Sequence, residues 1–297
     1  MVHQCPAVTD AARGIPGARI DWVVEEGFAG VARMHACVER VIPVAVRRWR
    51  GALWKRSVWN EIAAFRAALA AQRYDAVIDT QGLLKSALIA RCATGTRHGM
   101  DRASVREPLA ALFYQRTHPV PRALHAVERN RRLTAASLDV PLQSGIDYGL
   151  RSSPAVGAPT LPASYSVLLT MTSRADKLWP EAHWIELGRA LALPVVLPWG
   201  NAEERGRAER IARGLGEALV PDKMTLEALA KVLAAAKNVV GLDSGLSHLA
   251  AAFGAPTVAI FCGSDPSLTG LYGAPRARNV GALGRPPQVS EVLQSLQ

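Results

Sequence analysis

Asp243, Ser244, Gly245 and His248 fall within six residues of one another in the stretch GLDSGLSHLAAAFGAP. An acid, a hydroxyl, a residue without a side chain and an imidazole at this spacing suit the first turn of a helix that follows a strand. Free backbone N–H groups at such a helix start attract anions. His248, one turn in, can donate to the same phosphate or pyrophosphate, or it can be a satisfied core histidine. Asp243 or Ser244 can equally be an ordinary N-cap. Two further junctions carry comparable chemistry. In LLTMTSRADKLWP, Thr172, Ser173, Arg174 and Lys177 precede Pro180, and hydroxyls with a lysine suit phosphate oxygens. In LPWGNAEERGRAER, Glu203 and Glu204 open a helix, where they favour its dipole or accept sugar hydroxyls.

The elements that must position these residues alternate regularly. Apolar runs at 19–26, 74–82, 165–172, 194–200, 238–243 and PTVAIFCG read as strands. Between them lie helical patterns with Pro180 at one start, Asn201 and Thr225 as N-caps and Gly254 as a stop. Nearly continuous apolar strands alternating with helices predict parallel sheets covered on both faces. Ligands of such sheets sit beyond the carboxyl ends of the strands, where all three junctions lie. The Pro-, Gly- and Ser-rich segment 142–164 is the best linker. We therefore expect two α/β domains, 1–150 and 151–297, facing a cleft.

The 297 residues contain no run of eighteen apolar residues and no signal-peptide pattern at the start, which predicts a cytosolic protein. The four cysteines are scattered, and neither a metal site nor a disulfide framework is expected. No G-x-G-x-x-G accompanies the third junction, and no P-loop or D-x-D occurs anywhere, so anion neutralisation falls to helix ends, Lys and His, with no metal and no cofactor. The net charge of +10 is uneven: residues 1–150 hold 21 Lys+Arg against 13 Asp+Glu, and the rest 14 against 12. Between Glu39 and Glu61 there is no acid, but Arg40, Arg47, Arg48, Arg50, Lys55 and Arg56 alternate with Trp49, Trp54 and Trp59. Such a segment fits a membrane surface, a phosphorylated amphiphile, nucleic acid, or a helix with core tryptophans and solvated arginines. No nucleic-acid-binding motif accompanies it, and no nucleic-acid partner is expected.

The stretches DTQGLLKSALIAR, RHGMD, REPLA, HAVERNR, DKLWPEAHW, LPWG and GLDSGLSHLAAAFGAP, in this order along almost the whole chain, resemble the ADP-heptose:lipopolysaccharide heptosyltransferases (glycosyltransferase family 9), most closely the heptosyltransferase I branch. The resemblance implies a GT-B fold of two Rossmann-like domains: an N-terminal acceptor domain and a C-terminal ADP-heptose domain. It implies inverting transfer of heptose from ADP-heptose to the Kdo of Kdo2-lipid A, with the enzyme peripheral at the cytoplasmic face of the inner membrane. By motif, Thr172, Ser173 and Lys177 would contact the diphosphate, Glu204 the ribose or sugar, and Asp243, Ser244, Gly245 and His248 the heptose and phosphates. Lys177 and Asp243 would be catalytic, and Arg47, Arg48, Arg50 and Arg106 would contact acceptor phosphate or Kdo. The family's first strand and the Asp expected as general base would fall just before Met1, so the first N-terminal strand is expected to be missing and the chain as written to be inactive or weakly active. A non-catalytic nucleotide-sugar binder, a heptosyltransferase II-like enzyme and a nucleotide-sugar epimerase of similar fold are the alternatives.

Overall fold

The computed structural model describes residues 1–151, 159–172 and 174–296. The chain forms two compact units that meet in sequence at Gly149 and Leu150.

The first unit holds five parallel strands: β1 (Asp21–Glu25), β2 (Arg40–Val44), β3 (Arg73–Asp79), β4 (Thr94–Met100) and β5 (Arg116–His118). They pair as β1-β2 and as β3-β4-β5, with no ladder joining the two groups among the described residues. Side chains link them instead: the Tyr74 hydroxyl of β3 donates to Asp21 of β1 at 2.7 Å, and Arg40 of β2 donates to the same carboxylate. Ile42, Val44, Trp49, Val58, Phe65 and Leu69 form one apolar cluster, against which Val77 of β3 also packs. A second cluster contains Met100, Val105, Tyr114 and Leu133. The helices Cys5–Gly14 and Ala126–Leu138 pack together. Their link is an ion pair only 4–6% exposed, Arg131 to Asp10 at 2.7 Å. A guanidinium buried this deeply needs every donor used, and Arg131 also donates to Glu128 and to the carbonyls of Gln143 and Gly145.

The second unit is one six-stranded parallel sheet. Its strands are β6 (Ser166–Leu169), β7 (Val195–Val196), β8 (Ala218–Leu219), β9 (Asn238–Leu242), β10 (Thr257–Phe261) and β11 (Ala277–Gly281). Their order is β11-β10-β9-β6-β7-β8. The chain leaves β6 toward one edge, then returns to lay β9 on the other side of β6. The crevice between β6 and β9 is therefore the topological switch point, where open α/β sheets hold their ligands.

Local chemistry explains the helices. Asn201 caps Ala202–Arg213 by accepting from the Glu204 N–H at 3.0 Å, and Thr225 caps Leu226–Ala235 by accepting from Ala228 at 3.2 Å. The Gly245–Ala252 helix ends in a Schellman motif: Ala255 N–H reaches Ala250 O, Gly254 N–H reaches Ala251 O, and Gly254 has φ +80°. Pro180 stands as the residue before Glu181–Ala190 rather than inside it. In DKLWPEAHW, Trp179 and Trp184 are fully buried and meet edge to face at 5.1 Å. Trp179 donates to Pro287 O at 3.0 Å, which ties the loop carrying Lys177 to the C-terminal segment of the chain.

Candidate active site

The site grows from the carboxyl ends of β6, β9 and β10. The loop after β6 makes a short 3-10 turn, Ala175–Lys177, and delivers Lys177. Asp243 follows β9 directly, and Ser264 lies three residues beyond β10. Lys177 Nζ reaches Asp243 Oδ2 at 2.5 Å, Ser264 Oγ donates to the same oxygen at 2.6 Å, and His248 Nε2 stands 3.8 Å from Oδ1. Thr172 Oγ1 donates to the backbone carbonyl of Asp243 at 3.2 Å. The Lys177–Asp243 pair thus spans the β6–β9 switch point. Both side chains are largely buried, at 16% and 11% exposed. Burial pushes the Asp243 carboxyl up, but the hydrogen bonds from His248, Lys177 and Ser264 outweigh it and hold the group far below the usual carboxylate range. Asp243 is a fixed anion that orients a lysine and a histidine.

The helix start beside this cluster is open. Ser244 makes no capping hydrogen bond, and its hydroxyl lies 3.4 Å from that of Ser247. A Cβ on Gly245 would meet nothing within 4 Å. No described side chain therefore crowds the helix start at Gly245. The helix also sits close on the sheet: a Cβ on Gly241 would lie 2.3 Å from Ser247 Oγ and 2.9 Å from Leu169 Cβ. Ser247 Oγ anchors it by donating to Leu242 O at 2.6 Å.

Of the residues singled out in the sequence, Thr172, Lys177, Asp243 and His248 come together in one cluster, with Ser244 and Gly245 at its edge. Ser173 lies outside the described residues. Among the described residues Glu204 makes no hydrogen bond or ion pair to them: its carboxylate accepts from Gly200 N–H at 2.7 Å and from Asn201 Nδ2 at 3.0 Å, closing the Asn201 cap. Ser264 escaped the sequence reading, although IFCGSD has the same strand-to-loop form as the three junctions that drew attention. In the first unit, Arg47, Arg50 and Arg106 are exposed and form no ion pair among the described residues. Arg48 is different. It bridges Glu26 at 3.0 Å and Glu61 at 2.8 Å, so its charge is already matched. The tryptophans of that segment divide: Trp49 is buried and donates to Glu61, while Trp54 and Trp59 are exposed. The uniform helix with core tryptophans is thereby excluded. Asp79, at the end of β3, is buried and accepts from Ser86, Tyr114 and the N–H groups of Gln81 and Gly82. Burial pushes its carboxyl up. Among the described residues no cluster of three or more His, Cys, Asp or Glu could hold a metal ion, and no helix is long and apolar enough to cross a membrane.

Residues 62–295 match the profile of glycosyltransferase family 9 (heptosyltransferase). The chain belongs to this family. It is 50% identical over 279 residues to lipopolysaccharide heptosyltransferase 1 of Escherichia coli (strain K12), an alignment that covers 92% of this chain and 87% of that one. The structure of E. coli heptosyltransferase WaaC with ADP matches with a TM-score of 0.90 and 48% identity, covering 98% of this chain and 92% of that one. WaaC with ADP-2-deoxy-2-fluoro heptose matches with a TM-score of 0.86, 47% identity and coverage of 98% and 91%. The fold is therefore the GT-B type, and the protein is a glycosyltransferase of lipopolysaccharide heptose transfer.

Proposed function

We propose that this heptosyltransferase moves L-glycero-D-manno-heptose from ADP-heptose to the Kdo of Kdo2-lipid A, with inversion at the anomeric carbon. The observation that carries the donor side is the Lys177–Asp243 pair across the β6–β9 switch point, beside an open helix start. The diphosphate lies against the N–H groups of Ser244 and Gly245, with Thr172 flanking it. Lys177, held by Asp243, meets the charge that grows on the leaving phosphate as the glycosidic bond breaks. A preoriented cation needs no reorganisation at that moment, which is the main economy of such sites. Asp243 keeps Lys177 and His248 aimed, and His248 donates to phosphate or to a heptose hydroxyl. The Glu204 carboxylate has lone pairs beyond its two cap bonds and accepts from the ribose. The related enzyme crystallised with ADP and with a fluorinated ADP-heptose supports this donor.

On the acceptor side, Arg47, Arg50 and Arg106 offer uncompensated guanidinium groups to phosphate or Kdo carboxylate. Arg48, matched by two glutamates, shapes that surface. The acceptor hydroxyl attacks the anomeric carbon as ADP departs, and its proton passes to a carboxylate base. Asp79 does not fit that role, because it is buried with both carboxylate oxygens engaged, and Asp10 is buried and committed to the Arg131 ion pair. The first unit is thus the acceptor domain and the second the donor domain of an enzyme working at the cytoplasmic face of the inner membrane.

The test pairs binding with turnover. ADP-heptose is expected to raise the melting temperature by mass action, and UDP-sugars are not. Heptose is then expected on Kdo2-lipid A by mass spectrometry, with the opposite anomeric configuration by NMR. A shift with a UDP-sugar and none with ADP-heptose would refute the donor assignment, and donor binding without any transfer would refute turnover.

A further inference from the structure

The acid-free run between Glu39 and Glu61 holds, besides Arg47 and Arg50, an exposed apolar turn. After the short helix Val46–Arg50, the Lys55 N–H donates to Ala52 O at 3.0 Å and closes a four-residue turn. The two central residues of that turn are Leu53 and Trp54. Such positions favour Gly, Asn, Asp and Ser, yet here the tip carries two large apolar side chains, 46% and 78% exposed. The turn is braced from both sides. The Trp59 indole, itself 57% exposed, donates to Leu53 O at 2.8 Å. Trp49 beneath is buried, packs edge to face on Phe65 at 5.8 Å and donates to Glu61 at 2.8 Å. The apolar tip is held out by hydrogen bonds rather than left loose.

Exposed cations flank it along the chain, Arg47 and Arg50 before it and Lys55 and Arg56 after it, none of them in an ion pair among the described residues. The nearby acids are spent on the scaffold. Glu25 accepts from the Arg47 N–H, while Glu26 and Glu61 hold Arg48. A protruding Leu-Trp tip flanked by uncompensated cations matches one environment well. Tryptophan settles at the headgroup level of a bilayer, and arginine and lysine are attracted to an anionic surface. We propose that the Leu53–Trp54 turn is a membrane-docking wedge that seats the first unit on an anionic bilayer. It deepens the heptose-transfer reading by placing that unit where a lipid-borne acceptor lies.

The experiment is flotation of the full chain with vesicles of phosphatidylcholine containing roughly one-third phosphatidylglycerol, against pure phosphatidylcholine. Binding is expected to the anionic vesicles and to fall off at about 0.5 M salt, where screening reaches only a few ångströms. Leu53→Ser with Trp54→Ser is expected to lower partitioning about tenfold or more, with the ADP-heptose thermal shift in the second unit retained. Leu109→Ser with Leu112→Ser removes side chains that are as exposed, at 61% and 74%, but outside the acid-free run, and is expected to leave partitioning in place. Brominated lipid is expected to quench the tryptophan emission of the native chain more than that of Trp54→Phe, a change too mild to unfold the turn. Equal binding to both vesicle types, equal loss in the two serine pairs, or identical quenching of native chain and Trp54→Phe would each overturn the proposal. Transfer to detergent-dispersed acceptor needs no bilayer, so it tests the reaction separately.

Discussion

Replacing Lys177 by Met keeps the length and apolar stem of the side chain and removes the ammonium from Asp243. The carboxylate then retains Ser264 at 2.6 Å and His248 on its other oxygen. It is under-satisfied rather than orphaned, so the cost falls below that of a fully unpaired buried charge. Losing one charge-assisted hydrogen bond at a carboxylate 11% exposed corresponds to about 1.5–3 kcal/mol. For a chain of this size that lowers Tm by roughly 3–12 °C. The drop is read from the near-ultraviolet circular dichroism of Trp179 and Trp184, both fully buried in the second unit. Acid titration adds a second reading. A carboxyl whose folded pKa is depressed takes up its proton later than the unfolded chain does. Its stabilisation is complete above the unfolded value of about 3.9 and is lost as pH falls toward the depressed folded value. The Tm gap between native protein and Lys177→Met is therefore widest near neutrality and narrows below about pH 4. In turnover, losing a preoriented cation at the leaving phosphate lowers kcat by about 10²–10³. A Tm gap that is absent, or constant from neutral to acid pH, would show that the ion pair does not set the Asp243 charge.

Two further outcomes follow from close packing and from a buried charge. Gly241→Ala drives a methyl to 2.3 Å from Ser247 Oγ, which is itself bound to Leu242 O, so the Gly245–Ala252 helix must shift. We expect a loss of about 1–3 kcal/mol in denaturant unfolding and a smaller ADP-heptose thermal shift; an unchanged midpoint with the full shift would contradict this packing. Asp10→Ala leaves Arg131, 4% exposed, with Glu128 and two carbonyls, and should cost about 3 kcal/mol. Asp10→Asn should cost less, and equal stability of the two variants by chemical denaturation would mean that the buried charge is already compensated without Asp10.

Much of the fold was readable because its signals are local. Asn201, Thr225 and Gly254 act within a turn of their own positions, so cap chemistry marks them without knowledge of anything distant. The apolar runs became the strands, shortened where the chain bends away: 194–200 retains only Val195–Val196 as ladder, and 165–172 only Ser166–Leu169. Those strands end where the junction rule placed Thr172, Lys177 and Asp243, since a parallel sheet sends its loops to one edge.

What residue types alone left open were the partners across long separations. Lys177 and Asp243 are 66 residues apart, and Asp243 and Ser264 are 21 apart. Their contact follows from β9 returning beside β6, an order that strand patterns do not contain. The same holds for charge. Six cations in the segment 40–60 look alike in sequence, yet Glu26 and Glu61 neutralise Arg48, while Arg47 and Arg50 form no ion pair among the described residues. Three tryptophans look alike too, and only packing made Trp49 core and Trp54 surface. The sequence by itself determined the family, the alternation of elements and the caps, because periodicity, local hydrogen bonding and motif order reside in neighbouring residues. Tertiary structure alone decided which charges are spent on each other and which are free, because that depends on distances the chain sets only by folding.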